Sequence, residues 1–203
     1  GIKQGDEYLQ LSDNILQSEA EFYSTIRAKR VPSPGQNFLE CLQQDGVEYI
    51  EVRLLDIDPF EPLGVSRTTV RFLDSFLLYC LLTPSPAHDD ERCSEVDSNL
   101  TTAVHEGRKN DVTLKDDGTE RKLSDWANQI LGEMAPLAAH LDKELNTNAH
   151  VASLALQQTK VTNSETTPSA RILQTMKDEN IPFFRFAMNQ SLSHQQQHLA
   201  AEL

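Results

Sequence analysis

Between Gly46 and Leu55 the residues alternate: Ile50, Val52 and Leu54 fall on one side, Tyr49, Glu51 and Arg53 on the other. A period of two belongs to a β-strand, whose successive side chains point to opposite faces. The run GVEYIEVRLL is therefore expected to form a strand with one apolar face and one polar, chemically rich face. Asn14 to Lys29 alternates in the same way. Leu16, Ala20, Phe22 and Ile26 are apolar or small, and Gln17, Glu19, Glu21, Tyr23 and Arg27 oppose them. It reads as a second strand, although the same run also fits a helix through Ile15, Leu16, Glu19, Phe22, Tyr23 and Ile26. Val31 to Asp45, with its VPSPG, reads as a connector. Asp56 to Gly64, with Pro59 and Pro62, reads as a turn-rich exit.

Beyond Gly64 the pattern is helical. Ser66 is placed to cap a helix carrying Val70, Leu73, Phe76, Leu77, Cys80 and Leu81, stopped by Pro84. Pro84 to Ser98 reads as a charged loop, followed by a short helix to Glu106 that Gly107 ends. Ser124 is expected to cap a helix with Trp126, Ile130, Leu131, Met134, Leu137 and Leu141, kinked near Pro136. Thr167-Pro168 and Pro182 open two more. Only two strands are expected, too few to stand alone. Helices are expected to cover the apolar face, leaving the charged face uncovered within the chain. The expectation is an α+β fold: residues 1–64 contribute a few antiparallel strands of a larger sheet, and residues 65–203 form a mainly helical region.

The 203 residues carry a net charge of -13. Such a chain repels nucleic acid and anionic membrane surfaces, so neither is expected as a partner. Its three cysteines, Cys41, Cys80 and Cys93, share no metal-ligand spacing and point to a reducing, cytoplasmic setting. No apolar stretch approaches the ~20 residues of a membrane span. The first residues, GIKQGDEYLQL, are already patterned and carry no initiator Met, so part of the protein is expected to lie upstream.

Glu51 and Arg53 sit at positions i and i+2 of their strand, about 6.5–7 Å apart on one face. Extended, a carboxylate and a guanidinium so placed are expected not to meet at their tips, and to share a third party instead. Mg²⁺ takes one or two carboxylates plus substrate phosphates, and Arg offers phosphate a planar fork of donors. The alternative is a wet sheet face with solvated charges. Spacing alone leaves both open.

The words around the pair narrow the choice. IEVRLLDIDPF resembles the phosphate-handling strand of the glutamine synthetase superfamily. GIKQGDEYLQL with NILQSEAEFYSTIRAKR, GVEYIEVRLLDIDPFEPLGV with RFLDSFLLYCLL, and HEGRK resemble the bacterial glutamate–cysteine ligases, with SARIL at Ser169 as a weaker echo. The resemblance runs from the first residue to about Lys109. It implies a glutamine synthetase-like fold and an ATP-dependent ligase. Such an enzyme phosphorylates the γ-carboxylate of L-glutamate and lets L-cysteine displace the phosphate, the first step of glutathione synthesis. It implies Glu51 as a Mg²⁺ ligand, Arg53 at the transferring phosphate, Arg27 and Lys29 as further ATP or phosphate contacts, and Tyr23 in the cysteine subsite. Arg108 is a weaker, structural candidate. Ser18, Ala20, Thr25 and Ala28 depart from the family words, while Tyr23 and Arg27 are kept. The glutamate site and most metal carboxylates of that family lie in an N-terminal portion, so this chain alone is expected to be inactive. Other readings are a non-catalytic remnant that binds nucleotide or a partner, and a ligase for a different amine.

Other features read as structure. His194 and His198, at i and i+4, lack a third ligand and read as a solvated helix face. His88, His105, His140 and His150 are isolated. Asp89, Asp90 and Glu91 read as solvated loop charges, and Cys80 and Trp126 as core. No glycine-rich phosphate loop occurs.

Overall fold

The computed structural model describes residues 3–5, 7–9, 23–85, 87 and 89–201. Its contacts divide the chain into two compact units, Gly1–Asp56 and Ile57–Leu203. Both helices and antiparallel strand pairs are present, in keeping with the α+β expectation.

In the first unit, β1 (Lys3–Gln4) pairs with β2 (Glu7–Tyr8), and β3 (Ile26–Lys29) pairs antiparallel with β4 (Tyr49–Val52). Of the strand read over 14–29, residues 14–22 lie outside the described residues. The end that is described, Ile26–Lys29, is strand. Its register sets Ile26 opposite Val52, Arg27 opposite Glu51, Ala28 opposite Ile50 and Lys29 opposite Tyr49. Two further hydrogen bonds extend the ladder, from Glu48 N to Lys29 O at 2.9 Å and from Arg53 N to Thr25 O at 2.8 Å.

The supposed connector Val31–Asp45 holds a helix, α1 (Phe38–Asp45). Asn37 caps it, its side-chain oxygen accepting from the N–H groups of Leu39 at 2.8 Å and Glu40 at 3.4 Å. Gly46 ends it at φ 77°, a left-handed backbone that glycine adopts without a Cβ clash. The cap and the glycine were both legible; VPSPG, which reads as a turn, concealed them.

The second unit is a helical assembly. It contains α2 (Arg67–Leu82), α3 (Asp90–Glu106), β5 (Thr113–Asp116), β6 (Thr119–Lys122), α4 (Leu123–Leu145), α5 (Ala149–Thr162), α6 (Pro168–Asp178) and α7 (Phe183–Ala201). Ser66 caps α2 as expected, its hydroxyl accepting from Thr69 N at 3.0 Å. The core joins Leu131, Met134 and Ala138 of α4 to Leu154 of α5, with Phe72, Phe76 and Tyr79 of α2 packed against them. No helix among the described residues is long and apolar enough to cross a membrane.

Several expectations for this unit are corrected. The charged loop over 84–98 is mostly helix: Asp89 caps α3 by accepting from Arg92 N at 2.9 Å, and Asp90 and Glu91 fill the first turn, where the helix dipole favours acids. Two further strands exist. β5 and β6 form a hairpin around Asp117 (φ 55°) and Gly118 (φ 74°), a two-residue turn with both φ values positive. α4 begins at Leu123, so Ser124 lies inside it, and Pro136 is accommodated within the helix. Cys80 is exposed on α2 rather than in the core, and Trp126 is half-buried under the Arg121 guanidinium at 4.9 Å.

Candidate functional site

The candidate site is built on the odd-numbered face of β3 and β4. Direct opposition of Arg27 and Glu51 puts both on one face, with Lys29 and Arg53 beside them. The Arg53 guanidinium lies over the Tyr23 ring at 5.6 Å. Phe38, the first residue of α1, forms a floor: the Arg27 guanidinium lies 5.3 Å and the Lys29 ammonium 5.6 Å from its ring centre. All five residues singled out from the sequence, Tyr23, Arg27, Lys29, Glu51 and Arg53, thus gather in one patch. Phe38 was missed because its helix was read as a connector.

The exposure of the two faces is the reverse of the expectation. On the charged side, Lys29 and Arg53 each keep 24% of their side-chain surface exposed and Glu51 keeps 35%. On the apolar side, Ile26 is 49% exposed and Ile50 43%. Among the described residues it is the charged face that is partly covered, by Phe38, while Ile26 and Ile50 of the apolar face are exposed.

Glu51 and Arg53 do meet. The Arg53 side chain folds back along the strand, and its Nη2 and Nε reach Glu51 Oε2 at 2.6 and 3.1 Å. Lys29 Nζ takes the other oxygen, Oε1, at 3.2 Å. Two extended side chains would have stayed apart; a long, flexible Arg has rotamers that turn its fork onto a same-face neighbour. The Arg53 hydrogen bonds hold the Glu51 carboxyl below the usual carboxylate range; partial burial opposes this and Lys29 adds to it.

The patch carries three cations, Arg27, Lys29 and Arg53, against one carboxylate, a local charge of +2 on a chain of -13. Arg53 spends only part of its five donors on Glu51. The arrangement suits a polyanion such as phosphate, which can accept the remaining donors while Phe38 shields the cations from water. A divalent metal fits less completely. Mg²⁺ needs near-octahedral oxygen ligation, of which one or two carboxylates are the usual protein share. Glu51 can supply one ligand, on giving up a cation, and no group of three potential ligands occurs among the described residues.

Residues of the second unit play other parts. Arg108 Nη2 pairs with Glu165 Oε1 at 3.3 Å. His194 is not merely solvated: its Nε2 bonds to the Pro59 carbonyl at 2.8 Å, holding the segment after Asp56. Phe60 packs edge-on to Phe186 at 5.7 Å between centroids, and the Arg171 guanidinium lies 4.0 Å from its ring centre. His150 is buried at 1% exposure. Its Nδ1 meets Asp142 Oδ1 at 2.7 Å, and the Asp142 carboxylate also accepts from the N–H groups of His150 and Val151, each at 2.9 Å. Asp142, near the end of α4, thus caps α5. The lone histidine gave no hint of this, since its partner lies across a tight turn at Asn146 (φ 50°).

Comparison with known proteins places the chain among its relatives. The family model described as "Glutamate-cysteine ligase" matches residues 1–103. A glutamate–cysteine ligase of Pseudomonas aeruginosa is 44% identical over 206 residues, covering 100% of this chain and 39% of its own length. That of Alcanivorax borkumensis is 43% identical, covering 97% of this chain and 37% of its own length. The crystal structure of the Francisella tularensis ligase, solved with AMP, superposes with a TM-score of 0.82 at 32% identity, covering 96% of this chain and 38% of that one. A bifunctional glutathione synthetase from Pasteurella multocida shares the fold at TM-score 0.65 and 18% identity. The chain thus spans less than two-fifths of the length of the curated relatives it matches.

Proposed function

The chain belongs to the glutamate–cysteine ligase family, and from that premise we propose that its charged β3–β4 face is the phosphate-handling wall of an ATP-dependent ligase joining the γ-carboxyl of L-glutamate to L-cysteine. The observation that carries the reading is the gathering of three cations and one carboxylate on a single sheet face of an otherwise acidic chain. Nucleotide use is further supported by the AMP bound to the Francisella tularensis relative.

The chemistry needs such a face. A carboxylate is a poor acyl donor until one oxygen becomes a leaving group. The glutamate γ-carboxylate attacks the terminal phosphorus of ATP and ADP departs; the cysteine amine then attacks the acyl carbon, phosphate departs, and the amine proton is lost. Charge accumulates on phosphate oxygens in the first step and on the leaving phosphate in the second, so fixed cations lower both barriers. Arg53 presents its fork to the transferring group, with Arg27 and Lys29 as further anion contacts. Tyr23, stacked beside Arg53, borders the cysteine subsite. Glu51 holds Lys29 and Arg53 in place, and it is the residue of this face that would supply one carboxylate oxygen to Mg²⁺. The metal, when bound, neutralises phosphate charge.

One sheet face is one wall. The remaining length of the relatives supplies the glutamate site and the other metal ligands, their sheet continues along the edges of the β3–β4 pair, and further elements pack on the apolar face with Ile26 and Ile50. A chimaera tests this: the chain replaces the matching part of the Pseudomonas aeruginosa ligase, and phosphate release is followed. Release that requires both glutamate and cysteine is expected. A soluble, folded chimaera that hydrolyses ATP without them, or not at all, contradicts the reading.

A further inference from the structure

The second unit contains a cavity of about 740 Å³, within the range of small-molecule sites. Its lining is apolar at Phe72 and Phe76 of α2, Ile130 and Leu131 of α4 and Val161 of α5, and cationic at Arg108 and Lys160.

Both cations have unmet needs. Arg108 Nε is shielded from solvent and has no hydrogen-bond partner among the described residues, while Nη2 makes a 3.3 Å contact to Glu165. Lys160 makes no salt bridge among the described residues, and burial, opposed by the charge of Asp58 and joined by that of Arg171, pushes its ammonium below the usual lysine range. The neighbouring charges are already committed. Lys109 pairs with Glu106 at 3.0 Å and Asp111 with Lys122 at 2.6 Å. A half-buried cation that lacks a direct ion pair is unfavourable, and among the described residues Arg108 and Lys160 share only the single 3.3 Å contact to Glu165 between them.

We propose that this cavity binds a small organic anion, a carboxylate or phosphate carried on an apolar or aromatic body, with the anion on Arg108 and Lys160 and the body against Phe72 and Phe76. An anion accepting from Arg108 supplies the missing partner and neutralises Lys160, and the apolar wall gives the body its affinity.

Isothermal titration of the whole chain tests this with four probes: 2-naphthoate, 1-naphthyl phosphate, the neutral 2-naphthalenemethanol and inorganic phosphate. One or both aromatic anions bind, and which of them binds tells carboxylate from phosphate recognition. Each binds at least about 10-fold more tightly than the neutral alcohol or free phosphate. Lys160→Gln and Arg108→Gln each weaken the anion by about 10-fold or more with the far-UV spectrum unchanged. Ala127→Trp, which fills the cavity, abolishes binding and leaves the helical unit folded. Equal binding of the neutral alcohol, indifference to all three substitutions, or no binding of either aromatic anion at millimolar concentration would overturn the proposal.

Discussion

Removal of the Phe186 ring tests how the segment following the candidate site is held. Phe186 is 1% exposed, and its ring meets Phe60, over which the Arg171 guanidinium lies. Phe186→Ala should cost about 3–5 kcal/mol in lost burial and cavity, with about 0.5–1.5 kcal/mol more from the edge-to-face pair. At a urea dependence of about 2 kcal/mol per molar, the unfolding midpoint of the helical unit should fall by about 2–3 M. Phe183 provides the control: it lies 6.3 Å from Phe186 between centroids but is 59% exposed, so Phe183→Ala should cost less than about 1 kcal/mol. Urea titration followed by far-UV circular dichroism reads both. A Phe186→Ala midpoint within about 0.5 M of the parent's would mean that this ring does not anchor Pro59–Phe60.

Three further outcomes are expected. Burial raises the Asp142 carboxyl, but the N–H groups of Val151 and His150 and the His150 ring outweigh it and hold it below the usual 3.8; its contribution is therefore complete above that value and lost as pH falls through the lower folded-state value. The urea midpoint of the parent should drop more steeply below about pH 4 than that of Asp142→Asn, and parallel profiles would refute the assignment. Gly118→Val forces a branched residue to φ 74° and should cost about 1–2 kcal/mol, an unchanged midpoint arguing against that turn. In the chimaera, Tyr23→Phe should raise KM for cysteine and leave that for ATP unchanged; an equal rise in both would remove Tyr23 from the cysteine subsite.

What was legible in the sequence follows from where periodicity carries information. The alternation of GVEYIEVR fixed which residues share a face, and the register of β3 on β4 brought Arg27 and Lys29 to the same side. Periodicity cannot tell which face is covered. That depends on Phe38, placed by a helix that Asn37 caps and Gly46 stops just before the site's second strand. Nor does it give side-chain direction, and so it missed the Glu51–Arg53 contact. The hairpin strands TLKD and TERK are too charged to alternate; only Asp117-Gly118 announced them. α3 has few apolar residues, and side chains tie it to that hairpin: Glu95 accepts from Asp117 N at 2.9 Å and Gly118 N at 2.8 Å, and Asn99 Oδ1 from Lys115 N at 2.8 Å. Such long-range polar contacts leave no local pattern.

The central claim is that the β3–β4 face acts on phosphate, and Arg53→Ala in the chimaera addresses it most directly. Arg53 faces the patch and not the core, so the melting temperature should scarcely change. Phosphate release dependent on glutamate and cysteine should fall by about 100-fold or more, the scale of losing one transition-state donor. A folded Arg53→Ala chimaera that releases phosphate at the parent rate would contradict the account.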